Sequence, residues 1–188
     1  MLIQLITQHP QAIEQILGNT PRWVWGLLAA LLWLGLSQAL PRTVGLRRVT
    51  VMPLAMTAFS IYGLFTAFGT SGWLAQTVAV WLLAAAVVLA LAWGIGAPAG
   101  SRYDPATRRF DLPGSWVPLL LIIGIFMTKY IVGVELALQP ALVRDTTFTL
   151  SVAALYGVFS GLFVARASRL WRLALRAHNP GAALHAAA

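Results

Sequence analysis

The only lysine in this 188-residue chain, Lys129, lies with Glu135 inside FMTKYIVGVE, residues 126–135, a run otherwise fit to face lipid. A charge at the centre of a bilayer costs at least ~2.5–3.5 kcal/mol, and such groups usually face a bundle interior or a wet cavity. Two kinds of chemistry suit a lysine there: its ammonium holds an anionic group, or it takes up and releases a proton. An internal polar site needs further groups, and Tyr130, Tyr62, Tyr156, Ser60 and Ser160 are the candidates on the surrounding spans. Glu135 is six residues on, about 240° around a helix, and so cannot pair with Lys129 along one face. The structural alternative is an ammonium bound to carbonyls, hydroxyls or the Glu135 of a second copy, fixing the packing and nothing else.

Other reactive chemistry is sparse. The three histidines, His9, His178 and His185, all fall outside the apolar runs, and cysteine is absent. The sequence has no HExxH, GxSxG, P-loop or GxGxxG pattern, and no paired carboxylates at membrane depth. These features argue against an enzyme, a metal site or a cofactor.

The elements that must carry Lys129 follow from composition. Hydrophobic residues make up 59% and charged residues 10%, against roughly 45–50% and about 25% in soluble domains. The mean hydropathy is +0.78. Apolar runs near the ~20 residues that cross ~30 Å of hydrocarbon predict an all-α, five-span helical bundle. The spans are 23–40, 50–69, 73–96, 115–138 and 146–165. The formal charge of +8 is distributed as a topology signal, which disfavours nucleic acid as a partner. Arg42, Arg47, Arg48, Arg102, Arg108, Arg109, Arg166, Arg169, Arg172 and Arg176 would share one side, leaving Arg22 and Arg144 on the other. The positive-inside rule then puts the N-terminus outside and the C-terminus in the cytoplasm. The first apolar run is expected to act as an uncleaved signal anchor. Trp23, Trp25 and Trp73 should mark outer ends and Trp93, Trp116 and Trp171 inner ends, with Trp33 and Trp81 packed between helices.

Three domains are expected: an interfacial amphipathic segment at 1–22, the bundle at 23–165, and a basic amphipathic helix with a disordered tail at 166–188. In the last of these, Arg166, Arg169, Arg172 and Arg176 gather on one face, suited to anionic lipid headgroups. The cytoplasmic loop 97–114 holds Asp104-Pro105 between Tyr103 and Phe110, which suits a small β-hairpin, and Ser115 is placed to cap the fourth span. Ala153, Gly157, Gly161 and Ala165, at four-residue steps, form a close-packing face for the bundle or for a homo-oligomer. Pro53 and Pro118 suit the first turns of their spans. The pieces YGLFTAF (62–68) and YGVFSGL (156–162) are similar enough to raise an inverted repeat, or a shared glycine- and aromatic-rich composition.

The stretch PGSWVPLLLIIGIFMTKYIVGVELA, with RYDPATRRFDL before it and ALYGVFSGLFVAR after it, resembles a family of small uncharacterised polytopic proteins of proteobacterial inner membranes. TPRWVWGLLAALLWLGLSQ and RRVTVMPLAMTAFSIYG extend the resemblance over most of the chain. It implies a membrane protein and carries no activity. Two functions remain from the residues themselves: a small permease-like or ligand-binding protein with an internal site at Lys129, or a structural or assembly subunit that packs against a membrane partner or lipid. A solvated cavity at Lys129 would favour the first, and a dry core with a large apolar groove the second.

Overall fold

The computed structural model describes residues 16–178. The chain runs α1 (Arg22–Leu36), β1 (Arg42–Gly45), α2 (Leu46–Phe68), α3 (Leu74–Ala92), β2 (Arg102–Asp104), β3 (Arg109–Leu112), α4 (Val117–Leu138), a 3-10 turn at Pro140–Arg144, and α5 (Thr146–His178). Helices α2 to α5 are each long and apolar enough to cross a membrane. Helix α1, at 15 residues, is only about 22 Å long and ends four residues short of the predicted span. Its start sits part-way along α4, where the Thr20 hydroxyl meets the Tyr130 hydroxyl at 2.7 Å. Thr20 donates its own proton to the Ile16 carbonyl, so Tyr130 is the donor between the two.

The all-α expectation needs correction, because a three-stranded antiparallel sheet in the order β1-β3-β2 closes one end of the bundle. The β2–β3 hairpin is the one suggested by Asp104-Pro105. Asp104 Oδ1 accepts the Ala106 N–H at 2.9 Å and Oδ2 accepts the Thr107 hydroxyl at 2.7 Å, while Tyr103 pairs with Phe110 across the strands. Strand β1 comes from the loop between the first two helices, with Val44 opposite Phe110. The sheet therefore joins two arginine-bearing loops at the same end. The last turns of α5 join them there, since Ala167 and Leu170 pack with Val44, Val49, Phe110 and Leu112. All ten arginines predicted to share a side thus sit at one end, called here the basic end.

That packing changes the reading of residues 166–178. Helix α5 runs unbroken for 33 residues, about 50 Å, so its basic portion continues the span's axis and does not turn to lie flat. Leu170, on the apolar face, is covered by the sheet. Arg172 is also committed within the fold: its guanidinium donates to the carbonyls of Trp93 at 2.5 Å and Ile95 at 3.1 Å, satisfying orphan groups past the end of α3. The tail beyond His178, with His185, and residues 1–15, with His9 and most of the predicted interfacial segment, lie outside the described residues.

The small-residue face of α5 is spent inside the chain. Ala153, Gly157, Gly161 and Ala165 are buried, and a Cβ on Gly157 would strike the Trp81 carbonyl of α3, while one on Gly161 would lie 2.8 Å from the Ala85 carbonyl. It is therefore not available for a homo-oligomer. Helix α4 packs chiefly along α1, where Gly35 faces Leu119. Two local expectations differ. Trp33 is 75% exposed on the outside of α1, whereas Trp81 is buried and donates its indole N–H to Ser60 at 3.1 Å. Pro53 lies inside α2 and not in its first turn, because that helix begins at Leu46. Helix α5 has an N-terminal cap that had not been anticipated, Asp145 Oδ1 accepting the Phe148 N–H at 2.7 Å. Pro118 does fall in the first turn of α4, and the Ser115 hydroxyl accepts the Val117 N–H at 3.3 Å.

Candidate functional site

Lys129 is twelve residues into α4, about 18 Å from the helix start. Its side chain bridges to α2 and α5. Nζ lies 4.3 Å from the centre of the Phe59 ring and 4.6 Å from that of Tyr156, both within the reach of a cation–π attraction. The floor is Gly63, where an added Cβ would come within 2.5 Å of Nζ. Phe59 and Gly63 are four apart and so share a face of α2; Tyr156 is brought to them by the packing of α5 on α2.

A small cavity adjoins the ammonium, lined by Met56, Ser60, Ile125, Phe159, Ser160 and Phe163 besides the two rings. Its volume is about 20 Å³, room for about one water. Phe59 remains 51% exposed, so the site lies at the base of a cleft open to the side of the bundle rather than in a sealed interior. Ser60 accepts the Trp81 indole and keeps its own proton to donate. The arrangement offers one cation, two aromatic faces and two hydroxyls to a single small occupant.

Of the residues singled out from sequence, Lys129, Tyr156, Ser60 and Ser160 meet here. Tyr62 does not, being 65% exposed on the outer face of α2. Tyr130 is turned to Thr20. Glu135 is half-buried near the far end of α4 and does not line the cavity. Phe59 and Gly63 were missed, although the spacing of FSIYG placed them on the face of Ser60.

A second hollow of about 80 Å³ opens toward the basic end, bordered by Arg42, Arg48 and Arg166. Arg42 Nη2 donates to Gln38 Oε1 at 2.7 Å. Burial, and then the charges of Arg166 and Arg48, lower the Arg42 pKa from its ordinary value. Among the described residues, no group of three or more acidic, histidine or cysteine side chains is placed to hold a metal.

Residues 1–181 match the model of a family of unknown function, DUF6622. The chain belongs to that family. No curated protein and no solved structure matches it.

Proposed function

We propose that the protein is a non-catalytic, ligand-binding protein of the bacterial inner membrane. In this reading it crosses the bilayer five times, with the N-terminus outside and the basic end and C-terminus in the cytoplasm. The gathering of ten arginines at one end supports that orientation. Reporter fusions test it, and a fusion within 102–111 that reads as external would refute it.

The observation that carries the binding function is the Lys129 niche. An ammonium at this depth is expensive in hydrocarbon, and here two aromatic faces hold it, half-buried, beside a space that a water or one small anionic group can fill. The size of the space limits the occupant in this conformation to a water, a proton carrier or the tip of a larger ligand. A permease-like role would require α4 to move away from α2, and Lys129 is the contact that such a movement breaks. Native mass spectrometry of the purified protein, with and without Lys129→Met, tests the niche. A retained small anion, or a proton-coupled transport readout, is expected to vanish in the variant. If the variant folds and nothing else changes, the site is structural.

The smallness of that cavity favours a second reading, a structural or assembly subunit in which Lys129 only ties α4 to α2 and α5. Lipid or a membrane partner would then be what the protein packs against.

A further inference from the structure

The two hollows adjoin. Met56 of α2 and Phe163 of α5 line both the Lys129 niche and the larger hollow at the basic end. Together they form one groove between α2 on one side and α1 and α4 on the other, floored by α5. From Arg166 at its mouth to Tyr156 at its inner end is ten residues of α5, about 15 Å, half of a ~30 Å hydrocarbon core and therefore the depth of one leaflet.

The groove is two-ended in chemistry. Its walls are apolar and adaptable: Met52, Met56 and Leu121 line the larger hollow, and methionine conforms readily to an irregular guest. Arg42, Arg48 and Arg166 border the mouth, and no acidic side chain lines either hollow. Three like charges brought together repel one another, and an anion placed between them removes that repulsion. Guanidinium groups are suited to a phosphate because each presents a fork of donors. Arg42 is pre-positioned by Gln38, itself buried.

We infer that the groove is a lipid site, in which one acyl chain of a phospholipid with a net-negative headgroup lies between α2 and α4 while its phosphate sits on Arg42, Arg48 and Arg166. Charge complementarity selects the headgroup and the length of the apolar floor selects the chain. A free phosphate would use only the mouth. The lipid comes from the leaflet at the basic end, and its chain tip approaches the Phe59 and Tyr156 rings. The phosphate seat does not depend on a role for Lys129, and it uses different side chains from Arg169 and Arg176.

The test is lipid retention by the full chain, in nanodiscs of phosphatidylglycerol and phosphatidylcholine, followed by native mass spectrometry. One phosphatidylglycerol should survive delipidation. Arg48→Gln, at an exposed position where folding is preserved, and Arg42→Gln should each weaken retention about fivefold. Met56→Trp, which fills the groove and spares the arginines, should abolish it. Arg176→Gln, exposed at the same end but lining neither hollow, should leave it unchanged, which separates this site from the general charge of the basic end. Equal retention of phosphatidylcholine, or retention unaffected by both arginine variants, overturns the proposal. So does retention unaffected by Met56→Trp, or full displacement by inorganic phosphate alone, since either removes the chain from its seat.

Discussion

Helix α5 faces two neighbours in different ways. Against α3 it presents Gly157 and Gly161, and the backbones approach so closely that a methyl group on Gly157 has no room beside the Trp81 carbonyl. Across its other side, between α2 and α4, the same helix floors a groove with two hollows and the chain's only lysine. In lipid the hydrophobic effect does not drive helices together, so close van der Waals approach is what holds a pair. The α3–α5 seam has that approach over its length, while α4 takes it mainly from α1 at Gly35. The difference assigns stability to one side of α5 and the capacity to bind to the other. The two tyrosine-glycine motifs fall on opposite sides of this division: Gly157 meets a backbone carbonyl that cannot yield, and Gly63 meets the end of a flexible lysine.

The largest effect should come from the seam. Gly157→Leu forces α3 away from α5 and is expected to destabilise the protein by about 3 kcal/mol, read as a fall in melting temperature in detergent. A loss below about 1 kcal/mol would mean that the seam is not the anchor. Removing the cap that starts α5 acts on the same helix more gently. Asp145→Ala leaves the Phe148 N–H without its acceptor and should cost about 1 kcal/mol.

Gly63→Ala is the matched probe on the other side. The new methyl displaces only the Lys129 ammonium, so the expected stability change is under about 0.5 kcal/mol, within the range of substitutions that disturb no packing. Its effect should fall on whatever the niche binds. A loss of stability equal to that of Gly157→Ala would erase the contrast between the two sides.

Much of this arrangement was legible in the sequence, and the failures share a cause. Predicted spans 73–96 and 115–138 enclose α3 and α4, and the arginines of the separate loops do meet at one end. The outward Trp33 and Tyr62 were misjudged because lipid and protein interior are both apolar, so a membrane helix shows no contrast between its faces to say which one is inside. Strand β1 was invisible for another reason: the four residues Arg42–Gly45 carry little pattern, and their partners lie far along the chain, Arg42 opposite Leu112 being the widest pair. Arg42 and Arg48 were read only as topology markers, since their convergence on Arg166 depends on how α2 and α5 cross. Lys129 stood out because a charge in an apolar run is conspicuous without any knowledge of packing.

The smallest effect sharpens the comparison through pH. The Thr107 hydroxyl, with the Ala106 N–H, holds the Asp104 carboxylate below its ordinary value of 3.8. A carboxylate with a depressed folded pKa stabilises the fold above its unfolded pKa, and this contribution is lost as pH falls through the folded value. Asp104 is fully exposed, so the loss is small and local to the β2–β3 turn. That hairpin carries Leu112, which borders the groove at the basic end, whereas it has no part in the Gly157 and Gly161 seam. Below about pH 4, amide exchange should therefore quicken over residues 102–112 while Trp81, Ala85 and Gly157 keep their protection. Asp104→Asn should remove the pH dependence, because an amide does not titrate. Equal quickening of the α3–α5 amides would show that the two sides of α5 open as one unit, and the division between anchor and groove would then fail.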